Sequence, residues 1–277
     1  AGASAAVLEV SVQNGNRIPA DLSLRYDVAG TVGRREHCGF GKPVGEQVRR
    51  DGNIEIDGGM PARIAVRWSL GAGNESRLQN VPPGGRRTFH VALSIGEPDA
   101  ASRLVRECIG DPQRCIEGSI GEWRGRVRGL AAKVPDFECD DPALVQLYRR
   151  SLLHLLLTRW DVQSFSLRPY YATGGMNGGC TCCYLWNFGG PYKLWPLVDP
   201  AALKSHLKAF LRLDLEKCFA LAPSDGSPQG PYYPINQEKV VFLIDAYVRE
   251  TGDLAFLKEQ FGGKTIAGWV VDMALAH

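Results

Sequence analysis

The feature that most limits the possible folds is a change of hydrophobic period near Pro98. Before it, apolar residues alternate with polar ones. The runs are Leu8, Val10, Val12; Leu22, Leu24, Tyr26, Val28; Ile54, Ile56; Ile64, Val66, Trp68, Leu70; and Phe89, Val91, Leu93, Ile95. A period of two turns one face of an extended strand toward a core. Asn14-Gly15, Asp51-Gly52, Gly58-Gly59 and Pro82-Pro83-Gly84-Gly85 separate the runs as turns. Strands of this kind predict part of an antiparallel β-sandwich over 1–97. The first run opens almost at residue 1, so further strands are expected upstream.

After Pro98 the pattern is helical. Ala100 to Cys108 reads as one helix, and Ile116, Ile120, Trp123, Val127 and Leu130 form the single stripe of another. Lys133-Val134-Pro135 ends it, because proline lacks the N–H that a continuing helix needs. Residues 98–132 are therefore expected as a helical linker and 133–277 as an α-helical domain. Asp141-Pro142 and Asp199-Pro200 each place a capping carboxylate before a proline at the first helical position. The helix after Asp141 carries so much leucine that burial on most faces is expected. A third helix spans about Ile235 to Glu250; Thr251-Gly252-Asp253 stops it, and Asp253 starts a short one. Ile266, Trp269, Val270 and Met273 are still in helical period near the last residue, so the chain is expected to continue.

Composition excludes several classes. The net charge is +2 with no long basic run, which does not suggest nucleic acid as a partner. No apolar run approaches the ~20 residues of a spanning helix, so no membrane partner is expected either. Eight cysteines in 277 residues do not make a disulfide scaffold, and unpaired thiols favour a reducing interior as the compartment. Cys180, Cys182 and Cys183 lie close together, but the five histidines fall outside ligand spacing, so neither a metal nor a cofactor is implied.

The candidate site is the stretch from Tyr170 to Pro200, which puts six glycines and two tryptophans between helical segments. Glycine has no side chain to bury, and it loses the most entropy on ordering. A glycine-rich, aromatic-lined loop on a helical scaffold suits the mouth of a sugar pocket. Aromatic rings offer rigid apolar area with a polar edge. Trp186, Trp195, Tyr170, Tyr171, Tyr232 and Tyr233 are the candidate stacking residues, with core packing as the competing role for each indole. Asn236 and Gln237 open a helix, where they can either bind sugar hydroxyls or cap it.

Two segments carry a resemblance. Tyr184-Leu185-Trp186-Asn187-Phe188-Gly189-Gly190, followed by Leu197-Val198-Asp199-Pro200, resembles the Trp-Asp segment of glycoside hydrolase family 63 and the trehalase-like enzymes. Gly230-Pro231-Tyr232-Tyr233-Pro234-Ile235-Asn236-Gln237, with Tyr247 and Thr251-Gly252-Asp253, is similar to their next hairpin. The likeness is at motif level for roughly 170–257. It implies the six-hairpin glycosidase architecture: a β-sandwich followed by an (α/α)6 barrel, of which 133–277 would be the first hairpins. It also implies inverting acid/base hydrolysis of an α-glucoside or related small glycoside. In those enzymes the Asp of the Trp-Asp pair protonates the leaving oxygen, and a downstream carboxylate activates water. Here Asn187 occupies the acid position, and an amide has no acidic proton. The base would lie beyond residue 277. Asn187 stands as a lost acid, as a misaligned motif position or as an ordinary loop residue. A non-catalytic carbohydrate-binding protein is the alternative to a hydrolase, and a phosphorylase or polysaccharide lyase would fit the same scaffold.

Overall fold

A computed structural model of the chain describes residues 3–26, 46–50, 53–57, 63–72, 75–161, 165–172, 182–189, 191–223 and 225–276. The chain divides into two compact units, with the change falling between Trp123 and Arg124.

The first unit is built on antiparallel sheets. Its strands are β1 (Ala3–Gln13), β2 (Ala20–Arg25), β3 (Glu46–Arg50), β4 (Asn53–Asp57), β5 (Arg63–Trp68), β6 (Glu75–Val81) and β7 (Arg86–Gly96). Five of them form a sheet in the order β1-β7-β5-β4-β3, and β2 pairs with β6. Each run has its main part on a strand; Tyr26 and Leu70 fall just past β2 and β5, Val28 lies outside the described residues, and Leu8, Leu93 and Ile95 are exposed where a core-facing side was expected. β3 and β6 have no such run, because their sequences, EQVRR and ESRLQNV, carry too few apolar residues to show a period. Asn14 joins the two sheets: its Nδ2 donates to the carbonyls of Ile18 (2.9 Å) and Val81 (2.8 Å).

Two helices follow, α1 (Pro98–Gly110) and α2 (Pro112–Ala131). α1 lies on the five-stranded sheet, where Ala101, Val105 and Cys108 pack with Ala65 of β5 and Ala92 of β7. Small side chains on that face let the helix approach closely, so the first part of the expected linker is packed into the sheet unit. On α2 the predicted stripe is mostly solvent-facing: Ile120, Trp123 and Val127 are exposed, and Leu130 is buried.

The second unit contains α3 (Pro142–Thr158), β8 (Arg159–Trp160), β9 (Tyr170–Tyr171), β10 (Cys183–Tyr184), α4 (Leu194–Val198), α5 (Pro200–Phe210), β11 (Ala220–Leu221) and β12 (Pro228–Gln229). It continues with α6 (Asn236–Thr251), α7 (Leu254–Lys258), β13 (Gln260–Phe261), β14 (Lys264–Thr265) and α8 (Ile266–Leu275). The capping signals act as local chemistry requires. Asp141 accepts from the N–H of Ala143, Asp199 from Ala202 and Asp253 from Phe256. Gly252 ends α6 in the left-handed conformation at φ +71°. One large core joins Leu203, Leu207 and Phe210 of α5 with Val240, Leu243 and Ile244 of α6, and with Ile266 and Met273 of α8. α3 differs from its expected burial: Leu155 and Leu156 are buried, while Leu144 and Leu147 are exposed. The described helices form no closed barrel. None of them is long and apolar enough to cross a membrane.

Candidate functional site

The predicted aromatic residues separate into two groups. Tyr170, Tyr171 and Trp195 are sealed in the core of the second unit. Tyr170 donates its hydroxyl to the Leu221 carbonyl at 2.8 Å, and Tyr171 donates to Asp199 Oδ2 at 3.0 Å. Asp199 therefore caps α5, anchors Tyr171 and pairs with Arg159 at 3.5 Å. Trp195 stacks on Phe188 with centroids 4.5 Å apart, and its Nε1 has no hydrogen-bond partner among the described residues. None of the three rings offers surface to a ligand.

At the centre of this core sits His206, also sealed. Its Nδ1 lies 2.8 Å from the Ala202 carbonyl, and its Nε2 accepts from the N–H of Tyr171 at 3.2 Å. The two contacts require a neutral ring with the proton on Nδ1. Burial holds its pKa down at about 4, against opposing effects of the Ala202 carbonyl and the Asp199 charge.

Trp186, Tyr232 and Tyr233 are at the surface, 43%, 42% and 46% exposed. Trp186 and Tyr233 lie 10° from parallel with centroids 6.0 Å apart. Two further rings close the group into a cycle of four. Tyr184 meets Trp186 edge-on at 6.0 Å and stacks on Phe219 at 5.2 Å, and Phe219 meets Tyr233 edge-on at 5.8 Å. Asn187 is half-buried in the 3₁₀ turn that carries Trp186.

Short-range structure explains how these rings meet. β10, β11 and β12 form a small antiparallel sheet in which Tyr184 pairs with Ala220 and Ala220 with Gln229. Phe219 extends this ladder through its N–H to the Gln229 carbonyl (3.0 Å), and its own carbonyl accepts from Leu185 (3.1 Å). Its ring crosses directly over Gly230, at φ +72°, where a Cβ would stand 1.8 Å from Phe219 Cε1. Asn236 is fully buried and donates Nδ2 to the Cys218 carbonyl at 2.7 Å. It thereby ties the segment before Phe219 to the first turn of α6. Sequence reading placed Asn236 among sugar ligands or caps; the structure gives it this internal tie.

Gln237 is 4% exposed and lines a cavity of about 320 Å³ with Leu211, Leu213, Trp269 and Met273; Asp214, Glu216 and Asp272 also lie along it. Its Oε1 is buried with no hydrogen-bond partner among the described residues. This cavity was not foreseen, since its walls come from segments far apart in sequence. Tyr184 and Phe219 were also missed as site residues. The only local signal was the spacing Tyr184-Leu185-Trp186, which puts two rings on one side of an extended segment.

Of the cysteine trio, Cys182 and Cys183 are buried, and burial pushes the Cys183 thiol well up. Cys180 and the glycines of 173–181 lie outside the described residues. Among the described residues no cluster of His, Cys, Asp and Glu is arranged to hold a metal.

No protein-family model matches the chain, and no curated protein matches it.

Proposed function

We propose that the second unit binds a small carbohydrate through the exposed rim of the four-ring cluster, in a protein of the glycoside hydrolase type. The reading is carried by Trp186 and Tyr233, which are near parallel, over two-fifths exposed, and backed by Tyr184 and Phe219. Rings braced in this way present apolar area to the C–H face of a pyranose, with little rotamer freedom left to lose on binding. The carboxamide of Asn187, next in the chain, is suited to a sugar hydroxyl because it carries both donors and an acceptor. α5 against α6, and α6 and α7 against α8, support reading the unit as the first hairpins of an (α/α)6 barrel.

Hydrolysis requires a proton donor where Asn187 stands, so binding without cleavage is the activity proposed for this chain. Calorimetric titration with glucose, maltose, mannose and mannobiose tests it. Saturable heat from at least one sugar is expected, weakened about tenfold or more in Trp186→Ala, a loss of about 1.4 kcal/mol. Absence of heat from all four, or full affinity in Trp186→Ala, counts against the reading. Asn187→Asp separates binder from hydrolase. If position 187 is that of the lost acid, turnover of an α-glucoside rises by about 10²–10⁴-fold in the full-length protein that also carries the downstream base. Unchanged turnover leaves binding alone.

A further inference from the structure

We propose that Cys108 and Cys115 are a redox pair, a dithiol that closes to a disulfide across the α1–α2 corner by exchange with a small-molecule disulfide such as oxidised glutathione. The pair lies in the first unit and is independent of the carbohydrate reading.

Two cysteines seven apart in an unbroken helix stand about 10 Å apart along the axis. Here their sulfurs are 3.5 Å apart, with the Cys115 thiol donating to Cys108. The corner brings them together. α1 stops at Gly110, and Asp111 serves both helices: its N–H donates to the Glu107 carbonyl, its carbonyl accepts from Cys115, and its Oδ1 accepts from the N–H of Arg114. Pro112 then starts α2. A disulfide needs an S–S distance of about 2.05 Å, so the sulfurs must close by about 1.5 Å.

The two thiols differ in access, and this orders the steps. Cys115 is half-buried, whereas Cys108 is buried against Ala65, Ala92, Ala101 and Val105. Cys115 meets the oxidant first. It loses its proton, and its thiolate attacks one sulfur of the glutathione disulfide. That S–S bond breaks, and one glutathione leaves and takes up a proton. Cys108 then loses its proton and attacks the Cys115 sulfur of the mixed disulfide, and the second glutathione leaves. Two protein S–H groups become one S–S bond, and two electrons reduce the glutathione disulfide to two thiols. Burial, the largest cause, holds the Cys108 thiol up and still does so once Cys115 carries glutathione, so closure accelerates as pH rises above neutral. Closure ties the start of α2 to a helix already packed on the sheet.

The test uses the full chain in glutathione redox buffers, quenched with acid, alkylated and digested with trypsin. Cleavage after Arg106, Arg114 and Arg124 separates the two cysteines onto peptides 107–114 and 115–124. The expected product is this pair of peptides joined by a disulfide, formed several-fold faster at pH 9 than at pH 7. Cys108→Ala is expected to halt at a glutathione adduct on Cys115, and Cys115→Ser to give no link at Cys108. Circular dichroism confirms that each variant is folded. The proposal is overturned if folded wild-type chain keeps the Cys115 adduct without closing. It is equally overturned if Cys115 links mainly to another cysteine, or if neither thiol is consumed.

Discussion

Gly230 offers the sharpest test of the aromatic cluster. In Gly230→Ala the new methyl would stand 1.8, 2.2 and 2.4 Å from Cε1, Cζ and Cδ1 of Phe219, so the ring must leave. Two costs follow. A residue with a Cβ at φ +72° is strained by about 1–2 kcal/mol. Expelling Phe219 also breaks its contacts with Tyr184 and Tyr233, worth about 0.5–1.5 kcal/mol each. The expected destabilisation is about 2–5 kcal/mol. Gly252→Ala is the control: its φ is +71°, but nothing lies within 4 Å of the added carbon, so it should cost only the backbone strain, about 1–2 kcal/mol. Urea unfolding measures both. Near-ultraviolet circular dichroism should change in Gly230→Ala alone, and sugar binding should weaken there alone. Equal destabilisation by the two substitutions, with the aromatic signal intact, would refute the idea that Phe219 rests on Gly230.

Other outcomes follow from buried and paired groups. His206 has a folded pKa of about 4 against 6.5 unfolded, so between those values the unfolded chain binds a proton that the folded one excludes. Stability is therefore lost as pH falls through that window, on the order of 3 kcal/mol, and His206→Gln should flatten that part of the urea-midpoint profile. Lys204 bonds Asp253 at 2.9 Å and Glu259 at 2.6 Å, and these bonds hold both carboxyls below their usual range. Their contribution is present above the ordinary carboxylate range and is lost as pH falls through the depressed values. Lys204→Met should thus move acid unfolding to higher pH, most through Asp253, since Lys208 still bonds Glu259; circular dichroism followed against pH reads the shift. The two tryptophans of the loop should behave oppositely. Trp195→Ala should cost about 3–5 kcal/mol of stability because a sealed ring leaves a cavity, with sugar binding kept, whereas Trp186→Ala should cost about 1–3 kcal/mol through its contacts with Tyr184 and Tyr233 and weaken sugar binding about tenfold or more.

Where a structural choice depends on neighbours in the chain, the residues alone were sufficient. The Asp-Pro starts at 141 and 199, the Gly252 stop and the Asp253 cap are hydrogen bonds spanning two to four residues, so they are readable wherever those residues occur. The strands are legible for the same reason, but not which face is covered: Leu8, Leu93 and Ile95 are exposed, while the small residues Ala65, Ala92 and Ser94 are buried. β3 and β6 carry almost no alternation, and their pairing was settled by the strands beside them. The aromatic loop shows the limit most clearly. Tyr171, Trp186 and Trp195 are similar residues in one glycine-rich stretch, yet Tyr171 and Trp195 are sealed around His206 and Trp186 lies open beside Tyr233. That partition depends on a histidine on α5 and a tyrosine ahead of α6, both distant in sequence. Burial is a sum over such distant partners, so it was decided only when the helices and the small sheet packed together.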